Sequence, residues 1–538
     1  MIASGLLFCW PILRPLSWVG GDAPYHLDRL ISTLAALHQG QLPPFFDFTN
    51  DKYFGNSWNL FYPPLSLFVL LAGFFLWGHD INHAIELLAL STVLLAGWTA
   101  WAAGRDLFAD RNKRLCAAAF YALSPYMASN FYQRYALAEA LALAFLPLLL
   151  AGLGRFESGV RSRLIGWSLA LMLLSDLPAC SVAIAALGLY LLLSPERGRL
   201  LRQLLVWDLP VVLGGCAFFL GPFLFEATRM PVFMTSAAAP DFPRLMQANS
   251  LSFENLFLLT PNADHFQLGL GLPAAILLFW FVGSVVRQGK AFPPLLLVAS
   301  IFTIAILGLI PFGQVPRAWG RLLPMQFPWR SIGFIAAFVS LGCMPSLQIR
   351  PRTLAMLLLV SALSGLQIGM VALGGRLNYN RDYDPMKLKI DFFDYTPMGV
   401  KDHPMSGGQI GSTSCHTIHT EIGPNGFPFY DIGCDRPDEI LLPAMAYAGI
   451  VVRGGSVVRV ENGRFRVRLP AGASVIRLGY GRGFLLLIAA SWTVTILFLS
   501  FAAFRAGRHW RTARRLAAVG HTGRFSELER EPAPGVPR

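Results

Sequence analysis

The chain has 538 residues, of which 54% are hydrophobic and only 14% are charged, and its mean hydropathy is +0.50. A soluble domain usually carries about 25% charged residues, so this composition excludes an ordinary water-soluble protein. The net charge of +13 does not indicate nucleic-acid binding, because the basic residues fall mainly in short gaps between apolar runs. That distribution is typical of membrane orientation.

Long apolar runs recur along the whole chain. A spanning helix needs about 20 mainly apolar residues, and lipid offers the backbone no hydrogen-bond partners, so these runs predict helices. The first run has no basic residues before it and no small-residue cleavage site, which favours a short span or signal anchor over a cleaved signal peptide. The predicted spans, about twelve, lie near residues 2–19, 82–103, 115–127, 139–153, 164–175, 178–193, 204–225, 268–286, 292–311, 331–347, 353–374 and 483–504.

The basic gaps between these runs predict the orientation. Arginine and lysine cluster at 105–114, 155–163, 197–202, 287–290, 350–352 and 505–515, and such clusters favour the cytoplasmic side. If all of them are cytoplasmic, both chain ends lie inside. The segments 20–80, 126–138, 226–267, 312–330 and 375–482 then lie outside. Within the first of these, the apolar stretch 62–78 is rather short for a crossing and predicts a helix lying in the membrane interface.

The first outer segment carries Asp22, His26 and Arg29 at helical spacing, so they share one face of a predicted helix. A carboxylate at the membrane surface beside His and Arg is suited to general-base chemistry. The alternative is that Asp22 only caps the helix that follows.

The second outer segment carries Arg134 and Glu139, where the chain re-enters the membrane. An ionisable residue at that depth is costly and is a functional candidate by default. The alternative is a structural ion pair between the two.

The outer segment before the span near 331–347 has arginines on the side that the charge rule disfavours. Arg317, Arg321 and Arg330 are suited to binding an anion such as a lipid phosphate through paired hydrogen bonds. The alternative is headgroup anchoring beside Trp319 and Trp329.

Four motifs in order carry a family resemblance: GGDAPYHLDRL, FYPPLSLF, SPYMASNFYQRYALAEALALAFLPLLLAGL and LPMQFPWR. Residues 15–350 resemble the bacterial 6-pyruvoyl-tetrahydropterin synthase-related membrane components and the related YfhO group. These groups are similar to the GT-C glycosyltransferase superfamily. The resemblance implies a sugar donor on a polyprenyl phosphate or pyrophosphate carrier.

The resemblance also implies site residues. GT-C enzymes place an acidic catalytic residue just after the first span, which Asp22 matches, and often a second one in the next outer loop, which Glu139 matches. Asp22 is followed by Ala23, so an adjacent acidic pair is missing. The implied phosphate-binding and substrate-binding residues are His26, Arg29, Arg134, Arg317, Arg321 and Arg330.

Residues 375–482 predict a small β-rich outer domain before the last span. Alternating apolar and polar residues flank Asn462-Gly463, the strongest short hairpin signal, and a further strand is predicted at 474–480. Cys415 and Cys434 are the cysteines of this domain, and an oxidising periplasm favours a disulfide between them. The alternative is a metal site that uses Cys415, His416 and His419, although their spacing matches no standard zinc pattern.

The sequence thus predicts an all-α polytopic membrane bundle, GT-C-like, with a small β-rich extracytoplasmic domain. Its domains are 1–374 (the transmembrane bundle), 375–482 (β-rich), 483–504 (the last span) and 505–538 (a basic tail, disordered after about 520). The predicted function is transfer of a sugar from a polyprenyl-phosphate donor to a glycan, lipid or protein acceptor of the envelope, at the periplasmic face of a bacterial inner membrane. The alternatives are a flippase or transporter of lipid-linked glycans and a non-catalytic assembly scaffold. No sequence pattern supports a divalent metal.

Overall fold

The computed structural model of the chain describes residues 21–48, 55–230, 241–262, 265–316, 327–347, 349–379, 410, 412 and 414–527. These residues fold mostly into α-helices, and a small antiparallel β domain precedes the last helix. The helices before the β domain are α1 (Ala23–His38), α2 (Trp58–Phe61), α3 (Leu65–Leu76), α4 (Ile81–Leu107), α5 (Arg111–Ala122), α6 (Pro125–Tyr132), α7 (Leu137–Glu157), α8 (Leu164–Ser175), α9 (Leu177–Leu193), α10 (Arg197–Gln203), α11 (Leu209–Arg229), α12 (Phe242–Ala248), α13 (Phe253–Leu258), α14 (Gly271–Arg287), α15 (Pro294–Ile306), α16 (Ile332–Phe338) and α17 (Pro351–Tyr379).

Some of these helices join through tighter or wider turns. A π-helical turn, Leu204–Asp208, connects α10 to α11, and a second one, Val339–Cys343, extends α16. A 3₁₀ turn, Pro328–Ser331, leads into α16. The basic and apolar segment 197–229 is consequently one continuous helical rod.

Five helical stretches are long and apolar enough to cross a membrane: Ile81–Leu107, Leu137–Glu157, Arg197–Arg229, Pro351–Ala372 and Arg482–Arg508. The shorter apolar helices are Leu65–Leu76, Leu164–Ser175, Leu177–Leu193, Gly271–Arg287, Pro294–Ile306 and Pro328–Cys343. The chain is therefore an integral membrane protein. The predicted number of about twelve spans is not confirmed, and the predicted span at 2–19 lies outside the described residues.

Helix α7 lies at the centre of the bundle. Its side chains are buried along almost the whole length, and it packs against α4 and α8. Glycine permits one of the close contacts nearby: a Cβ added to Gly166 in α8 would lie 2.6 Å from the carbonyl oxygen of Asp208. Small residues allow helix backbones to approach in this way in membranes, where hydrocarbon lipid tails give no hydrophobic drive for association. The Gly166 N–H donates to Asp208 Oδ1 at 2.8 Å and fixes the contact.

The β domain consists of two antiparallel sheets. Its strands are β1 (Cys415–Ile422), β2 (Pro428–Cys434), β3 (Asp438–Met445), β4 (Ile450–Arg453), β5 (Ser456–Glu461), β6 (Arg464–Leu469) and β7 (Gly472–Tyr480). One sheet has the order β1-β2-β7-β4 and the other β3-β6-β5. The predicted hairpin and the predicted strand at 474–480 are confirmed. Asn462 and Gly463 connect β5 to β6 with φ values of 50° and 70°, as a tight turn with two left-handed residues requires.

The β domain is docked on the bundle by buried polar and aromatic contacts. Glu226, in the last turn of α11, accepts hydrogen bonds from the N–H groups of Ala448 at 2.8 Å and Gly449 at 2.5 Å. The segment after α1 also reaches this domain. Phe46 packs against Tyr447 with ring centroids 5.0 Å apart, and Gln41 Nε2 donates to the Gly426 carbonyl at 3.1 Å. These contacts place the segment that follows α1 between the helical bundle and the β domain.

The last helix, α18 (Arg482–Glu527), follows the β domain. It continues beyond residue 504 without a break, and its last turns occupy positions predicted to be disordered after about 520. Arginine and alanine, which are strong helix formers, are frequent between residues 505 and 519.

Candidate functional site

Asp22 is attached through its backbone to the loop that carries Arg134. The Asp22 N–H donates to the Arg134 carbonyl at 2.7 Å, and the Gly21 N–H donates to the Gln133 carbonyl at 3.3 Å. Gln133 is itself fixed, because its side-chain oxygen accepts from the Gln267 N–H at 2.7 Å. The first two outer segments of the predicted topology therefore meet at this point.

Glu139, in the first turn of α7, is the centre of a buried ionic cluster. Its Oε2 accepts from Arg134 Nη2 at 3.0 Å and lies 3.4 Å from Arg330 Nε. Its Oε1 accepts from the Tyr126 hydroxyl at 2.5 Å. The structural ion pair between Arg134 and Glu139 is formed, and the turn Pro328–Ser331 joins it through Arg330.

Further contacts fix the two guanidinium groups. Arg134 Nη1 donates to Asn130 Oδ1, one helical turn earlier, and its guanidinium lies 4.3 Å from the centre of the Trp329 ring. Trp329 is buried and belongs to the 3₁₀ turn that carries Arg330. A cation over an indole face is attracted by the ring quadrupole, so this contact holds the turn Pro328–Ser331 against the loop that carries Arg134.

Asp22 belongs to the same electrostatic cluster. Burial raises the pKa of its carboxyl above the ordinary value, and the negative charge of Glu139 acts in the same direction, while the positive charges of Arg134 and Arg330 oppose this. Asp22 occupies the N-cap position of α1, yet its carboxylate accepts no hydrogen bond from the first turn of that helix. The carboxylate is therefore not used for capping, and a raised pKa suits a base that works near neutral pH.

The charge of Arg134 is maintained by its neighbours. Burial alone lowers an arginine pKa, but the negative charge of Glu139, followed by the influence of Tyr126 and Asp22, outweighs it and raises the pKa of Arg134. Arg134 is consequently a permanent positive charge at this end of the bundle.

His26 is buried beside this region but carries no charge. Burial, followed by the positive charge of Arg29, lowers its pKa to about 3. Its ring meets Tyr62 edge-on with centroids 6.3 Å apart, and its Nε2 has no hydrogen-bond partner among the residues that the structure describes. A role for His26 toward a substrate would thus use a hydrogen bond and not a positive charge.

Arg29 is directed away from the ionic cluster and toward the segment before α3. Its Nε donates to Asn59 Oδ1 at 2.9 Å, Nη1 to the Pro63 carbonyl at 3.0 Å and Nη2 to the Tyr62 carbonyl at 3.0 Å. The guanidinium also lies over the Tyr62 ring at 4.8 Å. This geometry indicates that Arg29 positions α1, and phosphate binding by Arg29 stays a prediction.

Of the other predicted site residues, Arg317 and Arg321 lie outside the described residues. Cys415 and Cys434 face each other in the β1–β2 register, and their sulfurs are bonded, 2.12 Å apart. The Cys415 sulfur is therefore not available for the alternative metal site with His416 and His419. Over the part of the chain that the structure describes, no group of three or more His, Cys, Asp or Glu side chains is arranged to hold a metal ion.

Three residues of the cluster were not predicted. Tyr126 and Asn130 precede Arg134 at intervals of four, so the helical spacing of 126, 130 and 134 was the available signal. Asp176 follows α8 and caps α9, accepting from the Ala179 N–H at 3.2 Å, and it lies within electrostatic range of Arg330 and Glu139. Only the break between two short apolar helices marked its position in the sequence.

Two buried donors at the cluster are left without acceptors. Within the described residues, Asn130 Nδ2 and Arg330 Nε make no hydrogen bond, although both are shielded from solvent; Arg330 Nε has only the ion-pair contact with Glu139 at 3.4 Å. A buried donor without an acceptor costs about 1–3 kcal/mol, so such groups are uncommon unless a ligand supplies the acceptor. The cluster can therefore accept an oxygen-rich ligand while Asp22 accepts a proton.

No family model matches the sequence. An uncharacterized protein of Lactococcus lactis subsp. cremoris (strain MG1363) is 25% identical over 343 residues, which are 60% of this chain and 53% of that protein. The chain thus spans about half the length of this relative. The resemblance to the 6-pyruvoyl-tetrahydropterin synthase-related and YfhO groups stays a prediction.

Two solved structures are similar over about 70% of this chain. The first is the arabinofuranosyltransferase AftD from Mycobacteria, with a TM-score of 0.39, 17% identity and 26% of that chain covered. The second is ArnT from Cupriavidus metallidurans bound to undecaprenyl phosphate, with a TM-score of 0.42, 18% identity and 62% of that chain covered. This chain spans less than two thirds of either one. At TM-scores below 0.5 these similarities establish neither a shared fold nor a shared activity.

Proposed function

We propose that this protein is a membrane glycosyltransferase that moves a sugar from a polyprenyl-phosphate carrier to a hydroxyl acceptor of the cell envelope, on the periplasmic face of a bacterial inner membrane. The observation that carries the proposal is the buried cluster in which Asp22, Glu139, Arg134 and Arg330 come together from three separate segments. A carboxylate with a raised pKa next to guanidinium groups matches a reaction that needs one base and one anionic leaving group.

The position of the cluster supports a membrane-bound donor. Glu139 begins α7, a helix of 21 residues that is apolar enough to cross a bilayer, and Asp176 lies between the apolar helices α8 and α9. Both residues are at the ends of apolar helices, the position at which a bilayer's headgroup region would meet the hydrocarbon. A carrier phosphate would reach this depth while its isoprenoid chain stays in lipid.

The chemistry follows from these groups. Asp22 takes the proton of the acceptor hydroxyl, and the acceptor oxygen attacks the anomeric carbon from the face opposite the carrier phosphate. The new carbon–oxygen bond forms as the bond to the phosphate oxygen breaks, so the configuration inverts. Arg330 and Arg134 hold the departing phosphate, and Asn130 offers it a further donor. Glu139 positions the two arginines and is not placed in contact with the sugar.

The substitution Asp22→Asn tests the assignment of the base. The amide cannot accept the proton, so we expect the transfer rate to fall by about 10²–10⁴-fold. Binding of undecaprenyl phosphate to the purified full chain in nanodiscs should change less than threefold. Transfer is measured with radiolabelled polyprenyl-phosphate sugars and an envelope fraction as acceptor.

Asp80→Asn is the matched control, because Asp80 is also an N-cap residue and asparagine caps a helix equally well. It should leave transfer unchanged. Retention of full transfer by Asp22→Asn would remove this residue as the base. Movement of lipid-linked sugar across a vesicle membrane without transfer would favour the flippase alternative. The absence of both movement and transfer would favour the scaffold alternative.

A further inference from the structure

A second polar cavity lies at the other end of α7. It has a volume of about 430 Å³ and is formed by the end of α7, the following loop, α10 and the π-helical turn. Glu139 and Phe156 mark the two ends, and the 17 residue steps from one to the other correspond to about 26 Å along a helix axis. That distance is close to the hydrocarbon thickness of about 30 Å, so the cavity faces the opposite membrane surface from the ionic cluster.

The cavity is strongly basic. Its described lining includes Arg161, Arg199 and Arg202 but no carboxylate. Of the nearest acidic residues along the chain, Glu157 accepts from the Tyr190 hydroxyl at 2.6 Å, whereas Glu196 pairs with Arg199 of the cavity, which leaves Arg161 and Arg202 for a ligand. Arg161 and Arg202 are exposed, and the structure records no ion pair for either within the described residues.

Fixed contacts shape the cavity around these arginines. Arg199 Nη2 donates to the Phe156 carbonyl at 2.8 Å, and its guanidinium lies 4.4 Å from the centre of the Phe156 ring. Trp207, on the opposite wall, is held by the Arg163 guanidinium at 5.4 Å from its ring. These contacts fix Arg199 and Trp207 at the cavity, while Arg161 and Arg202 stay exposed to a ligand.

An apolar stripe runs from the cavity along the outside of the same rod. Val206 lines the cavity, Leu209 and Leu213 follow it at helical spacing, and all three are exposed. An apolar helical face that ends at a basic cavity has the arrangement that a phospholipid requires, with acyl chains on the face and the phosphate on the arginines.

We propose that this cavity binds the phosphate of an anionic phospholipid of the surrounding membrane, with its acyl chains along Val206, Leu209 and Leu213. The proposal is independent of the transfer reaction, since the cavity and the ionic cluster lie at opposite ends of α7. Paired hydrogen bonds from guanidinium groups to phosphate give the site its selectivity for anionic over zwitterionic headgroups.

The test is native mass spectrometry of the purified full chain, released from micelles that contain phosphatidylglycerol or phosphatidylcholine. We expect retention of phosphatidylglycerol and at least tenfold weaker retention of phosphatidylcholine. The double variant R161Q/R202Q should lower the affinity for phosphatidylglycerol roughly 30-fold. This factor is the attraction of two basic residues to an anionic lipid surface, converted to a ratio of dissociation constants. Both side chains are exposed, so folding should be retained.

R350Q/R352Q is the control, because Arg350 and Arg352 are exposed and form another basic gap. It should change the affinity less than threefold. An equal loss in the control would show general surface attraction and overturn the proposal, as would equal retention of the two lipids. Displacement of phosphatidylglycerol by millimolar glycerol phosphate would assign the cavity to a soluble phosphate compound instead of a lipid.

Discussion

Glu139→Gln is the perturbation that tests the ionic cluster most directly. The substitution keeps the size of the side chain but removes the charge that faces Arg134 at 3.0 Å and Arg330 at 3.4 Å. It also weakens the acceptor of the Tyr126 hydroxyl at 2.5 Å. Glu139 is buried, so water cannot replace these interactions.

The expected magnitude follows from this burial. Removing one partner of a buried ion pair typically costs about 3–5 kcal/mol, because the other charge stays buried without compensation. The glutamine oxygen still accepts one hydrogen bond, so we expect a loss of about 3 kcal/mol in the free energy of unfolding. Glu196→Gln is the matched control: the Glu196–Arg199 pair is about half exposed, and exposed pairs contribute roughly 0.2–1 kcal/mol.

The assay is equilibrium unfolding in bicelles, with Arg134→Met and the double variant completing a double-mutant cycle. The double variant should lose less than the sum of the two single variants, because each single variant leaves an unpaired charge. A loss for Glu139→Gln no greater than that of the control, together with additive effects in the cycle, would refute the reasoning about the cluster.

Two further predictions concern the base and the outer domain. Because Asp22 must be ionised to accept a proton, the transfer rate should rise with pH through the raised pKa of this carboxyl. Arg330→Met removes a positive charge that lowers this pKa, so the acidic limb of the kcat/KM profile should move to higher pH. An acidic limb that does not move would contradict the assignment of Asp22 as the base. Replacing both Cys415 and Cys434 by serine should cost about 3 kcal/mol of β-domain stability in the chain-entropy model, as measured by thermal unfolding of the full chain. Cys116→Ser, a change at a free cysteine, should have little effect. An equal loss for Cys116→Ser would argue against a specific contribution of the disulfide.

The sequence by itself determined the local features of this protein. The apolar runs became helices because lipid leaves the backbone no other hydrogen-bond partners, and Asn462-Gly463 formed a tight hairpin because these residues tolerate the left-handed backbone that the turn needs. The pair Arg134 and Glu139 was also readable, since five residues separate the two and a helix begins between them.

Only the tertiary structure decided which distant groups meet. Asp22 and Arg330 lie in one electrostatic cluster although 308 positions separate them, and Asp176 joins it from a third place in the chain. Conversely, Arg29 shares a helix face with Asp22 in the sequence but is bonded to the carbonyls of Tyr62 and Pro63. Helical spacing follows from near neighbours along the chain, whereas these partnerships depend on how whole helices pack, and local sequence carries no record of that packing.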